Sequence, residues 1–390
     1  MKGEIKMNPN SPSYRSGSSH PVQQPTVRRN AQRQHQPSKR VPNSADASAS
    51  VYNGLDIKNN MIKSIDFNKI QVREVLEYLQ HNPNVSIDRR VCIALLQKIG
   101  KLKNKITINL AVIDRIINQL PDNFTNMHIG NAMYGLQKLD GTNAATKRLV
   151  EALAEKVANS TAVLNAQEIG NAIYGLQNLD DADDATQYLI KQIMKKTIDS
   201  GFINSNEKAK FTNHYSENNI ITNDIMIGFL KVVATSANLL SLETTEKVLC
   251  ISQLLHGMTY FCKDEDNAYQ EFQYFISHKD KEGKPIPQTI PFNPRYQNKT
   301  WELDLHGYIP ITAKFAIRYC LESVIINDKH FDQDNDVATL QIITGQGNHS
   351  KRVYSIVHQE LMDYLKTNYQ QYTISSEHGR IYLTKQIKPF

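Results

Sequence analysis

A chain of 390 residues, 40% of them hydrophobic and with a formal net charge of +6, is long enough for two or three domains at about one per 150 residues. Its mean hydropathy is -0.48, and no apolar run approaches the ~20 residues that a bilayer requires. The best stretch, Ile225 to Ala234, is interrupted by Lys231, so no membrane partner is expected and the chain reads as cytoplasmic, with export as an effector left open.

The start lacks a basic segment followed by an apolar core, which argues against a secretory signal. Cys92, Cys250, Cys262 and Cys320 have neither metal-ligand nor disulfide spacing and read as reduced, buried thiols. Residues 1–55 are rich in Ser, Pro, Gln, Asn and Arg and poor in large apolar side chains, so a disordered tail is expected there. Lys2, Lys6, Arg15, Arg28, Arg29, Arg33, Lys39 and Arg40 stand against Glu4 and Asp46, which puts the whole excess of +6 into this segment. Such an arm holds nucleic acid through phosphate contacts, or serves as a solubilising leader or address.

Residues 56–265 predict an all-α, solenoid-like helical-repeat region. Ile129-Gly130-Asn131-Ala132-Met133-Tyr134-Gly135-Leu136-Gln137-Lys138-Leu139-Asp140 recurs 40 residues later as Ile169-Gly170-Asn171-Ala172-Ile173-Tyr174-Gly175-Leu176-Gln177-Asn178-Leu179-Asp180, with two positions changed. Val91 to Ile99 reads as a degraded earlier copy. Ile129, Ala132, Met133 and Leu136 share one helix face, and a second helix follows in each unit. Two helices per 40 residues is the grammar of an α-solenoid. Gly130 and Gly135 weaken a helix by roughly 1 kcal/mol each relative to Ala, which makes sense where a neighbour approaches closely. Asn131 and Tyr134, with Asn171 and Tyr174, lie on another face. They are candidates for stacking on and hydrogen bonding to unpaired bases, or for packing between hairpins.

Residues 266–294 read as a linker, because Gly283, Pro285, Pro287, Pro291 and Pro294 break the helical pattern. Residues 295–390 then predict a C-terminal α/β two-layer sandwich in the order βαβαββ. A strand from Trp301 ends in Asp304-Leu305-His306-Gly307, and Pro310 opens a helix. A second strand, Ala338 to Ile343, runs into Thr344-Gly345-Gln346-Gly347-Asn348-His349-Ser350 and another helix, before two final strands joined at His378-Gly379. Right-handed crossovers bring the loops after parallel strands to one sheet edge, where ligands bind. One loop offers a carboxylate and an imidazole. The other is glycine-rich and opens a helix beside Lys351 and Arg352, an arrangement suited to phosphate.

The pair Asp304-Leu305-His306-Gly307 and Thr344-Gly345-x-Gly347-x-His349-Ser350 resembles the two hallmark motifs of the Smr (small MutS-related) domain. The likeness covers about residues 295–388 and implies an endonuclease acting on RNA, or nicking DNA, with Asp304, His306 and the glycine loop as its working positions. The variable loop position, often Lys or Arg in the family, is Gln346 here; Lys351, Arg352 or Arg380 are the candidate compensating cations. The helices in front resemble, more loosely, the two-helix repeats of organellar RNA-binding proteins.

The leading expectation is therefore an RNA endonuclease, with catalytic Asp304, His306 and His349. Phosphate or nucleic-acid contacts are expected from Gly307, Gly345, Gln346, Gly347, Asn348, Ser350, Lys351, Arg352 and Arg380. No cofactor is required for attack by a 2′-OH. A DNA-nicking alternative would use a divalent metal to activate water, and a third reading is a non-catalytic adaptor for RNA or the ribosome.

Overall fold

Helices in the N-terminal part begin on side chains that accept a hydrogen bond from the unpaired N–H groups of the first turn. The computed structural model describes residues 52–212, 219–236, 244–277, 295–297, 300–325, 339–345 and 356–385. Helix α1 spans Val72–His81. Asp88 caps α2 (Arg89–Ile99), Asn109 caps α3 (Leu110–Asn118) and Thr125 caps α4 (Asn126–Leu136). Asn143 caps α5 (Ala144–Asn159), Asn165 caps α6 (Ala166–Gly175) and Asp183 caps α7 (Asp184–Asp199). Then come α8 (Ser205–Thr212), α9 (Asn223–Ala234), α10 (Thr244–Cys262) and α11 (Glu265–Ser277).

These helices pack in two rows. In one, α1, α3, α5 and α7 touch in succession; in the other, α2, α4, α6 and α10 do. The apolar spacing explains the second row: Ile129, Ala132, Met133 and Leu136 are fully buried, as are their counterparts Ile169, Ala172 and Ile173 on α6 and Leu176 just after it. Glycine lets the row close up. A Cβ at Gly135 would run into the Leu96 carbonyl, and one at Gly175 into the Met133 carbonyl. The close neighbour expected at Gly130 is also there, as Glu168.

Two sequence expectations are corrected here. The region from residue 56 is not all helix: β1 (Leu55–Lys58) and β2 (Met61–Ile65) form an antiparallel hairpin, and β3 (Ser86–Ile87) adds in parallel. Asn59 and Asn60, at φ 52 and 55, supply the two left-handed residues that a tight hairpin turn needs. The linker expected from 266 is helical as far as Ser277, because Ala268, Tyr269 and Phe272 make an apolar stripe that is buried. The proline-rich stretch itself, 278–294, lies outside the described residues, as does the basic tail up to Val51.

The C-terminal part is a mixed sheet of β4 (Arg295–Gln297), β5 (Thr300–Asp304), β6 (Thr339–Ile343), β7 (Tyr372–Glu377) and β8 (Arg380–Lys385), in the order β4-β5-β6-β8-β7. Strand β4 precedes the βαβαββ order read from sequence. Helices α12 (Pro310–Tyr319, continuing as a π-turn to Ile325) and α13 (Ile356–Asn368) pack on each other. Cross-strand register aligns Trp301 with Leu340 and Leu383, and Leu303 with Ile342 and Ile381, so one face of the sheet is apolar and buried. Phe315, Ala316 and Ile317 of α12 and Leu361 and Leu365 of α13 are buried in the same core.

The sheet and the helices are joined directly. The Arg318 guanidinium lies 4.0 Å from the Tyr269 ring centroid and hydrogen-bonds Asp266 at 2.7 Å and Glu322 at 2.9 Å. The Thr312 hydroxyl donates to the Ser252 carbonyl at 3.2 Å. Residues 48–390 accordingly cluster as one compact unit. Among the described residues no helix is long and apolar enough to cross a membrane. Cys92, Cys250 and Cys320 are buried thiols and Cys262 is half-buried; burial pushes the Cys92 thiol up to about 12.

Candidate functional site

The carboxyl end of β5 is turned sharply by its own side chains. The Asp304 carboxylate accepts the backbone N–H of His306 at 2.9 Å, which pins the residue that carries the imidazole. The Tyr308 N–H closes the turn on the Leu305 carbonyl at 3.2 Å, and Gly307 supplies the required positive φ of 85. Leu305 and Tyr308 are buried while Asp304, His306 and Gly307 are exposed, so the turn is anchored from below and presents its polar groups outward. Burial pushes the Tyr308 phenol well above its ordinary range, with the Asp304 charge adding to it.

Strand β6 lies parallel to β5, pairing Asp304 with Ile343, and the Leu305 N–H extends the ladder to the Ile343 carbonyl at 2.8 Å. The two chain segments therefore leave the sheet at one edge, and Gly345, the last described residue of the second, comes against His306. Gly345, at φ 79, borders the Nδ1–Cε1 edge of the His306 ring; a Cβ there would stand 2.7 Å from Nδ1 and 3.1 Å from Cε1. Arg380 pairs with Ile343 at the start of β8 and is exposed at the same edge. The site as described thus contains Asp304, His306, Gly307, Gly345 and Arg380. Gln346, Gly347, Asn348, His349, Ser350, Lys351 and Arg352 lie outside the described residues.

An exposed imidazole, a neighbouring carboxylate and a guanidinium at one edge can move a proton and hold an anion. Among the described residues no group of three His, Cys, Asp or Glu side chains gathers as a metal site.

Asn131, Tyr134, Asn171 and Tyr174 are not part of this edge. The amide oxygen of Asn131 accepts from Gln97 at 2.8 Å and that of Asn171 from Gln253 at 2.7 Å. Tyr134 stacks on Tyr174 at 5.8 Å between centroids, and Tyr174 meets the His256 ring at 4.6 Å. Of the two roles open at the sequence level, packing between hairpins is the one seen: these four side chains, all half-buried, tie α2, α4, α6 and α10 together. Gln177 continues the ladder by donating to Gln137 at 3.1 Å and accepting from the His256 ring.

Sequence reasoning missed His358, which is buried beside the end of β6 with Nδ1 2.9 Å from the Thr344 hydroxyl. Burial pushes its imidazole below the ordinary range, so it is neutral near pH 7. A signal existed: His358, Leu361 and Leu365 fall three and four residues apart on one face. His256 was missed too, for its ring continues the tyrosine stack from outside the recognised repeat. Comparison of the chain with models of known protein families gives no match, and no curated protein matches it.

Proposed function

We propose that this chain is an RNA endonuclease whose site is the edge formed by the ends of β5 and β6. The observation that carries the reading is the approach of the His306 imidazole edge to Gly345, beside Asp304 and with Arg380 at the same edge. The motif pair that brings these residues together supports reading the C-terminal part as an Smr domain. The 40-residue echo, with its buried Ile129 and Ile169 faces, supports reading the helices as a solenoid that holds the substrate together with the basic tail.

In this mechanism His306 takes the proton of a 2′-OH, which attacks the adjacent phosphorus in line. The P–O5′ bond breaks, leaving a 2′,3′-cyclic phosphate, and the departing oxygen receives a proton from His349. Arg380, with Lys351 and Arg352, offsets the negative charge that grows on the phosphate. Asp304 fixes the His306 backbone and so the direction of the ring. Two donors, Asp304 and His306, are a thin set for hydrolysis with two metal ions, which favours internal attack.

The test is cleavage of RNA in excess EDTA. Products ending in a 2′,3′-cyclic phosphate are expected, with complete resistance when the scissile position carries a 2′-deoxy nucleotide. Nicking of duplex DNA that depends on Mg²⁺ would replace this mechanism with the metal-dependent one. Tight RNA binding without cleavage would leave an adaptor.

A further inference from the structure

Thr344 is the residue at which β6 passes into the glycine loop, and it is held from two directions. Its backbone N–H donates to the Gly379 carbonyl at 2.9 Å, and its hydroxyl donates to the same carbonyl, also at 2.9 Å. With that proton directed at Gly379, the Nδ1–H of His358 is the donor to the Thr344 oxygen, at 2.9 Å. Thr344 is 5% exposed and His358 3%, so water does not compete for these bonds. The chain His358→Thr344→Gly379 links α13, the end of β6 and the β7–β8 turn. Gly379 precedes Arg380, and Gly345 follows Thr344. Both neighbours belong to the proposed site.

We infer that Thr344 and His358 are positioning residues: their buried hydrogen-bond chain fixes Gly345 at the edge of the His306 ring and, through the Gly379 carbonyl, the turn that presents Arg380. The inference rests on His306 being the working base. The physical reason is the fit at Gly345, whose lack of a Cβ leaves room for the Nδ1–Cε1 edge of the imidazole. A backbone set by flexible surface contacts would let the ring tilt. One set by a buried Thr–His pair does not.

The test uses full-length protein with ¹⁵N-labelled histidine, followed by NMR, together with RNA cleavage kinetics. In the wild type, Nδ1 of His358 must carry the shift of a protonated nitrogen; an unprotonated Nδ1 overturns the chain without any variant. Thr344→Val and His358→Leu remove the links. Thr344→Ser keeps the hydroxyl, and His358→Asn places an amide N–H where Nδ1 stood. The Val and Leu variants are expected to move the His306 resonances and lower kcat about 10-fold or more while KM changes by less than about 2-fold. The Ser and Asn variants should stay within about 3-fold of the wild type. A folded Val variant with unmoved His306 resonances overturns the inference. If those resonances move but the wild type cleaves no RNA, the positioning stands and the nuclease reading falls.

Discussion

Gly345 borders the edge of the His306 ring: a Cβ at 345 would stand 2.7 Å from the imidazole Nδ1. Gly345→Ala therefore carries two penalties, the left-handed backbone at φ 79 and the clash. Gly307→Ala carries the first alone, for at φ 85 the one atom its Cβ would meet among the described residues is Val248 Cγ1, at 3.8 Å. The strain costs about 1–2 kcal/mol in each, and the exposed His306 ring can turn aside at little cost, so urea denaturation should find the two variants similarly destabilised while only Gly345→Ala moves the His306 NMR resonances. Unmoved resonances would mean that the ring does not lie against Gly345.

His306 is exposed and its removal leaves no cavity, so His306→Ala should keep Tm within about 2 °C of the wild type and abolish cleavage. Asp304→Asn keeps an oxygen for the His306 N–H but removes the charge; it separates fixing the turn from acting in the reaction. Full activity in Asp304→Asn would assign Asp304 to the turn alone. Full activity in His306→Ala would remove the proposed base.

The meeting of Asp304, His306 and Gly345 was legible because they belong to short, contiguous motifs, and because a parallel β5–β6 pair brings the ends of both strands to one edge. The helix faces were legible for a similar reason: Ile129, Ala132, Met133 and Leu136 report burial through spacing alone. The partners of Asn131 and Asn171 were not, because Gln97 and Gln253 lie 34 and 82 residues away and no local pattern names them. The β1–β2 hairpin escaped notice because its strands are four and five residues long and its turn uses Asn59-Asn60 without glycine. Helix α11 was hidden by its neighbours, the Pro/Gly run after it having coloured the whole window as linker.

Two glycines within helices should respond in opposite ways to alanine. At Gly228, on α9, a Cβ would meet nothing within 4 Å among the described residues, so Gly228→Ala should stabilise by about 0.5–1 kcal/mol through helix propensity. At Gly175 the same gain is opposed by the Met133 carbonyl, which belongs to the backbone of α4 and cannot rotate away. Forcing two helices apart costs typically 1–3 kcal/mol or more, so Gly175→Ala should be a net loss. Denaturant midpoints decide it, and stabilisation by Gly175→Ala would mean that α4 and α6 are not in close contact.

The His256 imidazole makes stability depend on pH. Burial, with the Lys138 ammonium adding to it, pushes this imidazole down to about 4. One ring nitrogen donates to Gln177; the other, Nδ1, is buried with no hydrogen-bond partner among the described residues. In the unfolded chain the same ring titrates near its ordinary 6.5. Below that value the unfolded state binds a proton that the folded state refuses, so stability is whole above about pH 6.5 and is lost as the pH falls towards 4. The loss has an upper bound of about 3 kcal/mol. His358, also held neutral by burial, acts in the same direction, so the wild-type curve alone does not isolate His256. The difference between wild type and His256→Gln does. Unfolding by urea at pH 7.5, 6 and 5 should give a gap between the two proteins that changes in favour of the variant as the pH falls, by about 1–2 kcal/mol at pH 5. Parallel curves would mean that the imidazole takes up its proton in the folded state and is not enclosed between α6 and α10.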